Sequence, residues 1–160
     1  MPNQYLLARD TINGAEGSVV VTRNGLNYVV AGMNNITANG EIQNVDMRVI
    51  GTNAIQDKPN GVKQTATANI YYGDDIFREM LYNYITTGVM EEFDIQLTNS
   101  DPTVTVGRQT VVLYGCHLTG TIPLAILNDE EAMLRYDFNF AWTRTALLER
   151  FNAPATLGSR

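Results

Sequence analysis

The stretch "YYGDDIFREMLYNYITTG", Tyr71 to Gly88, decides the fold, because its apolar residues recur with helical spacing in a chain otherwise written in alternation. At about 100° per residue, Ile76, Met80, Tyr84, Phe77, Leu81 and Ile85 fall within one half-circle. Arg78, Tyr82, Asp75, Glu79 and Asn83 occupy the remaining arc. Asp74 or Asp75 is placed to cap the N-terminus and face the helix dipole, and Gly88 suits the left-handed C-terminal position. Burying such a face is worth roughly 1.5–3 kcal/mol per side chain before entropy is subtracted, so it needs a surface to cover it. The expected surface is the protein's own sheet, the alternative being that part of the face also meets a neighbouring subunit.

On the N-terminal side, "GSVVVTRNGLNYVVAG" predicts a hairpin of Ser18–Thr22 with Leu26–Ala31 around Asn24-Gly25, which suits a type I′ turn. The Gly- and Asn-rich "GMNNITANG" reads as a connection. Val45, Met47 and Val49 alternate with Asp46 and Arg48, as in a strand with one wet face. "GTNAIQDKPNG" reads as a long loop, and Pro59-Asn60-Gly61 supplies a turn near its end. From Lys63, Ala66, Ala68, Ile70 and Tyr72 oppose Thr65, Thr67, Asn69 and Tyr71.

Beyond the helix, Phe93, Ile95 and Leu97 mark a strand that ends at the turn "TNSDP". "TVVLYGCHL" is apolar on both faces and belongs at the centre. Leu134, Tyr136, Phe138, Phe140 and Trp142 then share one face of a strand, with Arg135, Asp137 and Asn139 on the other. Seven strands with one helix imply a mainly β fold: an antiparallel β-sandwich or barrel with one packed α-helix. The 160 residues suit a single domain, with an N-terminal arm over about residues 1–16 and an unpatterned C-terminal tail over about 143–160.

Seventeen acidic against eleven basic residues give a net charge of -6, which disfavours gripping a phosphate backbone through a basic surface. The lone Cys116 makes no internal disulfide, and the start lacks a basic-then-apolar leader, so a reducing cytoplasm is expected. Apolar runs such as "IPLAIL" are too short for a membrane anchor. Cys116 and His117 are neighbours on a strand and point to opposite faces, so they form no catalytic dyad. The acidic pairs Asp74-Asp75, Glu91-Glu92 and Glu130-Glu131 fit a helix start, a strand start and a solvated turn. The glycines form no phosphate cradle. No catalytic, cofactor-binding or metal-binding residues are expected, and no cofactor.

The order of elements from Lys63 onward, with "DDIFREMLYNYITTG", "EEFDIQL", "VVLYGCHL", "LRYDFNFAW" and "ALLERF", resembles the tail tube proteins of contractile-tailed phages and of defective prophages of the PBSX type. The resemblance implies a structural subunit, not an enzyme, that forms hexameric rings stacked into a hollow tube. The tube would surround the tape measure protein and later conduct DNA without specific binding. Its other partners would be the tail sheath, baseplate and tail terminator proteins, in a virion tail assembled in the host bacterial cytoplasm. Carried onto this chain, the ring-stacking loop falls at Gly51 to Val62, centred on Gln56, Asp57, Lys58, Pro59 and Asn60, and the arm reaches neighbouring subunits. The polar residues Asp46, Arg48, Thr65, Thr67 and Asn69 would face the lumen, and six acidic copies would repel a polyanion. Alternatives are the tube of an R-type bacteriocin or of a type VI secretion system, and a ligand-binding β-sandwich.

Overall fold

The computed structural model describes residues 7–30 and 32–152. A short 3₁₀ turn (Ala8–Asp10) precedes eight strands and one helix: β1 (Gly17–Arg23), β2 (Leu26–Val29), β3 (Met33–Met47), β4 (Gln56–Tyr71), α1 (Ile76–Thr87), β5 (Phe93–Ser100), β6 (Arg108–Thr119), β7 (Arg135–Ala141) and β8 (Arg144–Glu149). All pair antiparallel in the order β2-β1-β5-β6-β7-β4-β3, with β8 also on β6. The central place expected for "TVVLYGCHL" is observed: β6 meets β5 from Arg108 to Cys116, β8 from Thr110 to Tyr114 and β7 from His117 to Thr119. Its register against β5 shifts around Gly115, whose φ of 68° is left-handed and whose absent Cβ would lie 2.8 Å from Thr143 Oγ1.

The first hairpin turns on Asn24 (φ 53°) and Gly25 (φ 76°), as expected from the sequence. Ala31 lies outside the described residues. Three readings are corrected. "GMNNITANG" is the start of β3, which runs unbroken to Met47, because cross-strand pairing with β4 overrides weak β propensity. The segment read as a loop is extended from Gln56 onward; Gly61 (φ 113°) makes a bulge that shifts the β3–β4 register, and only residues 48–55 turn the chain. Pro59 is tolerated because β4 has a single neighbour there. The C-terminal tail also holds a strand, β8.

Core-facing residues of β4 and β7, Ala66, Ala68, Ile70, Tyr136, Phe138 and Phe140, meet α1. Phe77 stacks on Phe138 at 4.2 Å and meets Phe93 edge-on at 5.7 Å. The small alanines of β4 leave room for this aromatic layer. Phe77 and Met80 are fully buried, and Ile76 and Leu81 pack partly against the core. Tyr84 and Ile85, expected on the buried face, are 44% and 58% exposed, because the last helical turn reaches past the aromatic layer. Gly88 (φ 74°) closes the helix by donating its N–H to Tyr84 O, whereas at the other end Asp75 makes no side-chain capping bond and Asp74 Oδ1 accepts from the Ile76 amide at 3.4 Å.

Candidate functional site

Two surfaces stand out, one polar and flat, the other apolar and projecting. Residues directly opposite one another in an antiparallel ladder share a face. Register therefore sets rows across the side of β3, β4, β7 and β6 that faces away from the core. One row is Asn35, Asn69 and Asp137; the next is Thr37, Thr67, Asn139 and Thr119; the third is Asn39, Thr65, Ala141 and His117. Asn34 Nδ2 donates to Asn69 Oδ1 at 2.9 Å, and Asn69 Nδ2 donates to Asp137 Oδ1 at 2.8 Å, so amides and a carboxylate bridge the strands. Beyond these rows Glu41 sits opposite Lys63, and Arg135 lies over the Tyr71 ring at 5.9 Å.

Of the residues predicted to share a polar lining, Thr65, Thr67 and Asn69 lie on one face. Asp46 does not join them: the extra residue of the bulge lies on β4, so alternation along β3 carries on from Asn39 and Glu41, which pair with Thr65 and Lys63, and Asp46 falls on the other face. Arg48 lies past the end of β3, in the turn. Asp137 and Asn139 belong to the face, as do Asn35, Thr37, Asn39, His117 and Thr119. Sequence reading missed the β3 members although "NITANG" carries a period-two signal; its Asn and Gly content masked it.

The second surface is the outer part of the β3–β4 hairpin. From Gln56 to Gln64, β4 pairs only with β3, since β7 joins at Thr65. Apolar side chains nevertheless line this arm. Ile42 and Val62 face each other across the ladder at 62% and 54% exposure, Val45, Met47, Val49 and Ile55 are exposed, and Ile50 at the turn is fully so. The arm also sets Asp46 directly opposite Asp57, a like-charge pairing that costs stability. Gln56, Asp57, Lys58, Pro59 and Asn60 are thus strand residues of an arm. Such open edges and exposed β-branched side chains invite pairing with another chain.

Elsewhere polar groups serve the fold. Arg23, nearly buried, donates from Nε to Glu91 Oε2 at 2.8 Å and pairs with Glu79 at 3.3 Å, tying the first hairpin to the helix. Cys116 is fully buried, and desolvation, reinforced by Asp94, pushes its thiol pKa up to about 12, so it is no nucleophile at neutral pH. Asp101, 6% exposed, accepts from the Thr103 hydroxyl at 2.6 Å, the Thr103 amide at 2.9 Å and the Asn13 amide at 3.1 Å. It thereby anchors the N-terminal segment to the loop after β5. No group of three or more metal-ligating side chains occurs among the described residues, and no helix there is long and apolar enough to cross a membrane.

The molecule thus combines a mainly β sheet with one packed helix, an extended hairpin arm and a polar face. The family described as phage tail tube protein matches residues 4–149. The chain belongs to the phage tail tube protein family. Similar folds occur in a sheath/tube terminator of an extracellular contractile injection system, PVC, in its extended state, with TM-score 0.63 and 13% identity over 89% of this chain and 100% of that one. The tube-terminating cap of the anti-feeding prophage gives TM-score 0.61 and 14% identity over 90% and 95%. A chain of the PVC sheath-tube complex gives TM-score 0.58 and 13% identity over 86% and 90%. No curated protein matches the chain in sequence. This tail tube protein is accordingly a structural subunit of a virion tail.

Proposed function

We propose that the subunit forms hexameric rings that stack into a hollow tube, with the Thr- and Asn-rich face lining the channel and the β3–β4 arm making contacts between rings. The single observation that carries this reading is the arm: a long hairpin with exposed Ile42, Val62, Ile50 and Ile55 and one-sided strand edges is a poor end state for a lone subunit. A closed multi-subunit wall removes those edges and covers those side chains. Residues 1–160 act as one tail-tube domain whose N-terminal arm reaches a neighbour. The role is structural, not catalytic. The tube encloses the tape measure protein during assembly in the host cytoplasm, conducts DNA afterwards, and meets sheath, baseplate and terminator proteins.

Val45 and Lys58 are directly opposite, so replacing residues 46–57 with Asn-Gly closes a shorter hairpin on a turn suited to it. The expected result by electron microscopy and analytical ultracentrifugation is a folded subunit that no longer polymerises into tubes. Unchanged tubes from this variant would remove the arm from the ring contacts.

A further inference from the structure

Resting on the reading of the arm as the contact between rings, we infer that the arm tip of one subunit docks in a groove at the opposite end of a second copy, with Arg48 as its anchor. β4 begins beside the tip, at Gln56, and ends at Tyr71, three residues before Asp74 in the groove. Its 16 residues put about 50 Å of strand between tip and groove. A stack that grows in one direction needs two different, complementary surfaces at opposite ends of the subunit. The tip is one, and the groove supplies the other.

The groove, of about 260 Å³, lies between the first hairpin and the start of α1. Tyr28, Val29 and Ile76 are apolar walls, and Tyr28 and Val29 are 41% and 73% exposed. Asp74, Asp75 and Glu79 line it too, against one cation, Arg23, which already pairs with Glu79 and Glu91. Asp74 and Asp75 have no ion-pair partner among the described residues. The tip matches this chemistry. Residues 48–55 carry a single charge, Arg48, which is exposed and unpaired among the described residues, beside exposed Val49, Ile50 and Ile55. Docked, Arg48 neutralises carboxylates that the lone subunit leaves unmatched, while the aliphatic side chains cover Tyr28 and Val29. Asp46 and Asp57, directly opposite each other further back on the ladder, are repelled by the same acids, so the arm seats by its tip and slides no deeper.

The test follows tube formation by the full chain, read by electron microscopy and sedimentation. Arg48→Glu and Asp75→Lys are each expected to lower tube yield at least about tenfold. Both reversals in one chain should return the yield to within about twofold of wild type. Arg48 sits in an exposed turn and Asp75 makes no side-chain capping bond, so thermal midpoints should stay near wild type. The second measurement is direct: Arg48→Cys with Asp75→Cys, co-assembled with wild type, should be linked by a short bis-maleimide into covalent dimers and higher multimers, with Cys116 buried and silent. If a reversal variant does not fold, this cross-link decides. Normal tubes from either single reversal, a folded double variant no better than the singles, or assembled tubes that give no cross-link would each overturn the inference. The hairpin-shortened variant separates the two readings. Unchanged tubes from it remove the arm itself, whereas its failure to polymerise together with a missing cross-link rejects the groove alone.

Discussion

The inner and outer halves of β4 carry the same alternating pattern in opposite circumstances. Between Ala66 and Ile70 its inward residues are covered by α1 and the aromatic layer, whereas Val62, beyond Gln64 in the same series, is 54% exposed. The difference teaches that strand formation and burial are separable: β3 supplies the ladder along all of β4, but only the inner half has a core. The inner half holds the subunit together, and the outer half is left for another copy.

The sharpest way to break this comparison is to empty the core. Phe138 is fully buried against Phe77, so Phe138→Ala should cost about 3–5 kcal/mol in chemical denaturation. A cost below about 1 kcal/mol would mean that the aromatic layer is not what stabilises the subunit. On the arm the expectation reverses. Ile42→Thr combined with Val62→Thr should move subunit stability by less than about 0.5 kcal/mol, while tube yield, read by sedimentation, falls severalfold. A large loss of stability with normal tubes would show that the arm is part of the subunit's own core.

The smallest effect concerns acid. The Thr103 hydroxyl and then its amide hold the Asp101 carboxyl below the usual carboxylate range. A depressed folded-state pKa means stability that is fully present above the unfolded value of about 4 and is lost as pH falls through the folded value. Asp101→Asn should therefore lower the thermal midpoint at neutral pH, and the gap from wild type should close below about pH 4. A gap unchanged down to the acid limit would show that the carboxylate charge plays no part in anchoring the N-terminal segment.

How much was legible follows from what each signal measures. Tyr71–Gly88 and Arg135–Ala141 were legible because period and burial agree there: Phe77 and Met80, and Tyr136, Phe138 and Phe140, are apolar where they are covered. The first part of β3 and outer β4 were not, because only Met33 and Ile36 of that stretch of β3 pack against the core and Pro59, Asn60 and Gly61 spell a turn while forming a bulge. β8 was hidden for a related reason: its pairing with β6 is made by backbone, and Leu147 and Leu148 stay largely exposed. Tyr84 and Ile85 show the converse, apolar positions on the expected arc that the sheet does not reach.

Sequence by itself therefore determined the β class, the one helix, the Asn24-Gly25 turn and the inward series of β4 and β7, since these rest on local periodicity and backbone preference. Tertiary structure alone decided which polar residues share a face. Asp46 and Thr65 look alike as wet strand positions, but a face is defined by register against neighbouring strands, and only pairing across the sheet places Thr65 with Asn39 and turns Asp46 away.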